Sequence, residues 1–196
     1  VNTIFAVQAL WQEARKDVNL VMLLDTSGSM RGSKMDNMQE AAVQFVQQMG
    51  DDDYISIIAF STEPELIVRH VLVGENRDKI VRAIRDLRAI GDTTLFDAIG
   101  DGATLLTATT QPTTANAMIV LSDGQDTRSY RFNTATAMQE ASANNATVFT
   151  IAYGGDADER TLEQLAIQAN GNFFVGDEAS IAAIYEEMSA AFGGSV

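Results

Sequence analysis

Val18-Asn19-Leu20-Val21-Met22-Leu23-Leu24-Asp25-Thr26-Ser27-Gly28-Ser29-Met30 is the stretch that decides the fold. It opens as a nearly continuous apolar run, the pattern of a parallel strand buried on both faces, and stops at a carboxylate followed by small hydroxyl and glycine residues. Five further segments read as strands: Tyr54 to Phe60, Leu66 to Val73, Ala117 to Leu121, Thr147 to Tyr153 and Asn172 to Val175. Between them, apolar residues recur at three- or four-residue spacing. Met35, Met38, Ala42, Phe45 and Met49 make one such stripe, Ile80, Ile84 and Leu87 a second, and Leu95, Ile99 and Leu106 a third. Later stripes pair Met138 with Ala141, then join Leu162, Leu165 and Ala169, and last Ile181, Ile184, Tyr185 and Met188. The alternation predicts an α/β fold with three layers: a doubly wound, mostly parallel six-stranded sheet with helices on both faces. Ser61-Thr62-Glu63-Pro64-Glu65 is too short for a crossover helix, so the third strand is expected as an antiparallel edge strand closing a hairpin.

The 196 residues suit one domain with a sizeable core. With 46% hydrophobic and 20% charged residues, the composition is that of an ordinary globular protein. The longest apolar runs are strand-sized, which excludes a spanning helix. Thirteen Lys and Arg against 27 Asp and Glu give a net charge of -14. Such a field repels nucleic acid and anionic lipid over roughly 10 Å, so cations and basic surfaces are better partners. The absence of cysteine excludes disulfides, thiolate catalysis and cysteine-ligated metal, and leaves the compartment open. The single histidine, His70, excludes two-histidine metal sites. It alternates with apolar neighbours on the short antiparallel strand, far from the strands' carboxyl ends, and reads as structural or surface. Ahead of the first strand, Ile4, Val7, Trp11 and Ala14 share one face of an expected helix over Ile4 to Arg15. With neither initiator Met nor signal-peptide pattern, the expectation is a linker helix at 1–16 and one domain at 17–196, part of a larger protein.

Doubly wound sheets bind ligands at the carboxyl ends of their strands. There, Asp25, Ser27 and Ser29 alternate through a glycine-containing loop, and a second carboxylate, Asp123, follows the strand ending Val120-Leu121-Ser122. Gly91-Asp92-Thr93-Thr94-Leu95 adds a hydroxyl-bearing loop that opens a helix. Carboxylates and hydroxyls without nitrogen or sulfur are hard ligands, suited to Mg²⁺ or Mn²⁺ ahead of Ca²⁺. Asp92, Asp97, Asp101 and Asp126 lie nearby but read as helix caps or solvated surface, and Asp51-Asp52-Asp53 as a solvated turn.

Asp25-Thr26-Ser27-Gly28-Ser29 resembles the Asp-X-Ser-X-Ser signature of von Willebrand factor type A domains. Gly91-Asp92-Thr93-Thr94-Leu95 is similar to that family's threonine-bearing loop, and Leu121-Ser122-Asp123-Gly124 to its aspartate-bearing one. The resemblance runs from Val18 to the C-terminus, with all three loops in order at strand ends. It implies a Rossmann-like fold and a metal ion-dependent adhesion site formed by Asp25, Ser27, Ser29, Thr93 and Asp123. Thr93 is preferred over Thr94 because the family's threonine directly follows the Gly-X pair. The implied function is non-enzymatic: a protein-binding module, of adhesion or interaction, whose Mg²⁺ takes a Glu or Asp side chain of a partner. Ligand engagement in the family displaces the C-terminal helix, here Ser180 to Phe192.

An extracytoplasmic place, secreted or membrane-anchored, fits the cysteine-free, Thr/Ala/Asn-rich composition. The alternative is an assembly subunit docking on an intracellular ATPase or chelatase, as some family members do. A metal-dependent phosphohydrolase with Asp25 as nucleophile is more remote. Ser27 stands where such an enzyme wants a second acid, and Lys34 is the sole lysine near the strand-end loops. Neither a P-loop nor Gly-X-Gly-X-X-Gly occurs, which removes nucleotide binding by those motifs.

Overall fold

The apolar run Val18 to Leu24 lies at the heart of β1 (Asp17–Asp25), buried from its second residue to its last. The computed structural model describes residues 16–143 and 145–176. The helices expected over 4–15 and 180–192 lie outside the described residues. The strands β2 (Tyr54–Phe60), β3 (Pro64–Leu72), β4 (Thr114–Ser122), β5 (Thr147–Ala152) and β6 (Phe173–Val175) join β1 in one sheet, ordered β3-β2-β1-β4-β5-β6. All neighbours pair parallel except β2 and β3, which form the expected antiparallel hairpin at the edge.

Among the described residues five helices cover the sheet: α1 (Ser33–Gln48), α2 (Val73–Arg85), α3 (Leu95–Thr109), α4 (Thr134–Ala143) and α5 (Glu159–Gln168). Successive β1 side chains point to opposite faces, so one strand feeds two cores. Leu20, Met22 and Leu24 pack with Met38 and Phe45 of α1 and with Ile80 and Ile84 of α2. Val21 and Leu23 pack with Ile99 and Leu106 of α3, Met138 of α4 and Leu165 of α5. Each fully buried side chain of this kind contributes about 2 kcal/mol, and the two layers together hold the strand ends in fixed register.

The edge hairpin departs from the sequence reading in detail. β3 begins at Pro64 and ends at Leu72, because Val73 is the first residue of α2 and gives its N–H to the Asp53 carbonyl, 2.9 Å away. A register irregularity between Ile55 and Ile57 accompanies a left-handed His70 backbone (φ 36), whose N–H donates to Ser56 Oγ. The His70 ring stacks on Tyr54, centroids 4.6 Å apart, at the end of β2 away from the strands' carboxyl tips.

Asp53 corrects the solvated-turn reading of 51–53. Asp51 and Asp52 are exposed, but Asp53 is buried. Its Oδ1 accepts from the Val18 N–H at 2.9 Å and its Oδ2 from the Gly50 N–H at 2.7 Å. It thus ties the entry of β1 to the turn before β2. Charged acceptors satisfying buried N–H groups contribute roughly 1.5–3 kcal/mol each. Asp53→Ala is therefore expected to lower stability by about 2–4 kcal/mol in urea unfolding, whereas Asp52→Ala should change it by under about 0.5 kcal/mol; equal effects would show that the anchor carries no energy.

Candidate metal centre

In the parallel pairing of β1 with β4, Leu24 stands opposite Leu121, so Asp25 and Asp123 leave the sheet from neighbouring strand tips. Asp25 is fully buried. Its Oδ1 accepts from the Ser27 N–H at 2.8 Å and its Oδ2 from the Ser122 hydroxyl at 2.5 Å. Burial pushes its carboxyl up from 3.8 to about 6; the Ser122 and Ser27 hydrogen bonds pull the other way, and the Asp123 charge adds to the rise. The two carboxylates are therefore close enough to feel each other.

The loop after β1 is closed by backbone ties. Thr26 N–H donates to the Phe60 carbonyl (2.8 Å), Ile90 N–H to the Thr26 carbonyl (2.8 Å), and Gly28 N–H to the Gly91 carbonyl (2.9 Å). Gly91 takes φ +85 at this crossing, a conformation that favours glycine, and a Cβ there would overlap the Thr62 hydroxyl of the β2–β3 turn. A short 3-10 turn (Gly28–Met30) then leads into α1. At its start, the hydroxyls of Ser27, which precedes the turn, and Ser29 lie 2.9 Å apart, Ser27 buried and Ser29 exposed.

Thr93 is held through its backbone. Its N–H donates to Thr127 Oγ1 at 3.0 Å, and its carbonyl accepts from the Thr127 and Arg128 N–H groups, each at 3.0 Å. The neighbouring Thr94 hydroxyl donates instead to the Ser61 carbonyl at 3.0 Å. Asp123 completes the set: it is 1% exposed, its Oδ1 accepts a long 3.4 Å bond from the Gln125 N–H, and its buried Oδ2 has no hydrogen-bond partner among the described residues. The nearest positive group is Lys34 Nζ, 3.8 Å from that oxygen.

A buried carboxylate oxygen without a donor costs free energy unless something positive meets it. The surrounding groups are oxygens from two carboxylates and small hydroxyls, which fits a hard divalent ion. Among the described residues no group of three or more His, Cys, Asp or Glu is placed to hold a metal.

Several residues that shape the loops escape a reading of local sequence. Ser122, the donor to Asp25, is signalled only by its place beside Asp123. Asp97, expected at a cap or on the surface, is fully buried and accepts from the N–H groups of Tyr130 (3.3 Å), Arg131 (3.0 Å) and Phe132 (2.9 Å). Asp126 takes the Phe96 N–H and the Ser129 hydroxyl. These bonds fold the loop after Asp123 over the start of α3, beside Thr93. Asp92 and Asp101 form ion pairs with Arg128 (3.1 Å) and Arg131 (2.6 Å).

The family model for the von Willebrand factor type A domain matches residues 19–187. Over 167 residues the chain is 27% identical to the uncharacterized protein sll0103 of Synechocystis sp., a match covering 85% of this chain and 39% of that protein. Over 169 residues it is 28% identical to human inter-alpha-trypsin inhibitor heavy chain H4, covering 78% of this chain and 17% of that one. The chain thus spans less than half the length of either relative. Among solved structures, the vWF domain of the type V pili tip protein Mfa5 from Porphyromonas gingivalis shares the fold with a TM-score of 0.75 at 15% identity, covering 93% of this chain and 98% of that one.

The raised Asp25 carboxyl sets the pH response of EDTA-treated protein. Between 3.8 and about 6 the folded chain keeps a proton that the unfolded chain has released, so stability is lost as pH rises through that window. The loss reaches about 3 kcal/mol by pH 7.5. Urea unfolding of wild type and Asp25→Asn at pH 4.5 and 7.5 samples most of it: between these two values the wild type should lose about 2 kcal/mol relative to the variant, and parallel pH profiles would contradict the Asp25 assignment.

Proposed function

The chain belongs to the von Willebrand factor type A domain family, and from that premise we propose that it is a non-enzymatic, divalent-metal-dependent protein-binding module. Asp25, Ser27, Ser29, Thr93 and Asp123 would hold Mg²⁺ or Mn²⁺, and the ion would take a Glu or Asp carboxylate from a partner protein. The observation that carries this reading is the Asp123 Oδ2 atom, buried at the strand tip beside Asp25 and without a hydrogen-bond donor among the described residues. The same chain satisfies Asp97, an equally buried carboxylate, with three backbone N–H groups, so the exposed cost at Asp123 is a local feature of this site.

Each residue has a distinct part. Asp25 and Asp123 supply the two negative charges that match a divalent ion. Ser27 and Ser29 present paired hydroxyls at the mouth, and Thr93 supplies a third from a backbone pinned by Thr127 and Arg128. Thr93 takes this part because it directly follows the Gly91-Asp92 pair. Bound there, the ion supplies Lewis acidity: ligation largely by neutral oxygens leaves it electrophilic toward an incoming carboxylate. In a chain of net charge -14, that reversal of local sign makes an acidic partner accessible.

Similarity to an inter-alpha-trypsin inhibitor heavy chain and, in fold, to a pili tip protein domain supports placing the module outside the cytoplasm, within a larger secreted or membrane-anchored protein. No helix among the described residues is long and apolar enough to cross a membrane.

Thermal unfolding of EDTA-stripped protein against Mg²⁺ and Mn²⁺ tests the metal step. An ion bound only by the folded chain stabilises it by roughly 2.7 kcal/mol at one hundred times its dissociation constant. The wild type should respond in this way, Asp123→Ala and Asp25→Ala should not, and Ser27→Ala should need more metal. A response in Asp123→Ala equal to that of the wild type would remove the site, and no response in any variant would remove the metal dependence.

A further inference from the structure

Lys34 stands in the first turn of α1, and its ammonium lies between two carboxylates of unlike character. Nζ is 2.6 Å from Asp156 Oδ1 and 3.8 Å from Asp123 Oδ2. The Asp156 side chain is 65% exposed, that of Asp123 1%, and Lys34 itself 21%. The path of the lysine stem is built into the backbone. Gly154 takes φ +94, and a Cβ there would overlap Lys34 Cε and stand 2.9 Å from Nζ. The segment carrying Asp156 is tied to the metal loop, because the Gln125 side-chain amide donates to the Asp156 carbonyl at 2.8 Å. The ammonium is therefore in full contact with the outer carboxylate and at long range from the inner one, whose Oδ2 has no other partner among the described residues.

We propose that Lys34 is a built-in counter-cation that competes with the divalent ion for Asp123, and that Asp156 is the place that keeps the ammonium when the ion binds. The proposal rests on the metal-site reading above. Without metal, two neighbouring buried carboxylates need a positive charge, and Lys34 is the one ion-pairing partner that Asp123 has among the described residues. A divalent ion on Asp123 meets that same charge, so Lys34 weakens the ion's binding. Lysine is suited to this part because its compact charge rides on a flexible four-carbon stem, which can lean toward Asp156 with no change in the backbone. An acidic ligand brings negative charge to the same place and offsets the repulsion. Lys34 thus opposes the ion alone more than the ion with its ligand, which couples the two binding events.

Magnesium titration calorimetry on the EDTA-stripped full chain tests this, with Mn²⁺ binding by electron paramagnetic resonance as a second readout. Lys34→Met keeps the length of the side chain and removes its charge; it should bind Mg²⁺ tenfold or more tightly while being less stable in EDTA. Asp156→Asn, on an exposed side chain, should bind about threefold or more weakly, since the ammonium then turns wholly to Asp123. A lysine with a merely structural part would lower stability in EDTA and leave both affinities unchanged, which overturns the proposal, as does weaker binding by Lys34→Met. Should Lys34→Met fail to fold, unchanged or tighter binding by Asp156→Asn overturns it alone. If Asp123→Ala abolishes binding while Lys34→Met matches the wild type, the metal site stands and only the counter-cation falls. If neither wild type nor Lys34→Met binds the ion, both readings fall together.

Discussion

Two buried carboxylates at adjacent strand tips are the constraint around which the upper edge of this sheet is built. The parallel pairing of β1 and β4 sets them there, and neither Asp25 nor Asp123 is more than 1% exposed. Burial alone penalises each charge, and their proximity adds a like-charge term. Ser122 and Ser27 offset part of this at Asp25, which still keeps its proton up to about pH 6. Sheet pairing with two apolar cores beneath it holds the arrangement against that cost, because a shift of one residue in β1 would turn every core side chain to the wrong face.

The chain shows that it can satisfy a buried carboxylate when the part is structural. Asp97 has three backbone donors and an arginine, and Asp53 has two backbone donors. Asp123 has one long bond and a lysine 3.8 Å away. The difference does not lie in residue type or burial, which are shared. It lies in the loop ties: the backbone N–H groups of Thr26, Gly28 and Ile90 are spent between loops, leaving the inner face of the site lined by side-chain oxygens. Such a face is poor at solvating a carboxylate and good at solvating a cation.

How much of this was legible follows from the range over which each signal acts. Strand runs and helix stripes are local, and a buried parallel strand writes itself as a continuous apolar run, so β1, β2, β4 and β5 could be read to within a few residues. The loops carrying Asp25 and Asp123 were legible because each carboxylate sits at or directly after the end of its strand, whereas Thr93 precedes a helix and was read from its loop alone. Val73 misled because an apolar residue at a strand end and one at the first turn of a buried helix look alike in sequence. The left-handed His70 and its register irregularity carry no turn residue to announce them. Asp97 was misread because its three backbone donors lie 33 to 35 residues away, and Asp53 because one of its two, Val18, lies 35 residues away. Lys34 and Asp156 are 122 residues apart, and no periodicity joins them.

The global charge and the proposed partner stand in opposition, and distance resolves it. At physiological ionic strength, charges beyond roughly 8 Å are largely screened, so the excess of acidic residues acts on an incoming carboxylate only through those around the loops. Three of these are Asp92, Asp126 and Asp156. Asp92 is paired with Arg128, Asp156 with Lys34, and Asp126 is turned inward to the Phe96 N–H and the Ser129 hydroxyl. The acidic groups at the mouth are thus already engaged, each by a basic residue or a donor of the same loops. On the proposed function, what an approaching ligand meets would then be set by the interior of the site: repulsive when only Asp25 and Asp123 are charged, and attractive with a divalent ion bound. On this reading, affinity for an acidic partner follows occupancy of the metal site rather than the charge of the whole molecule.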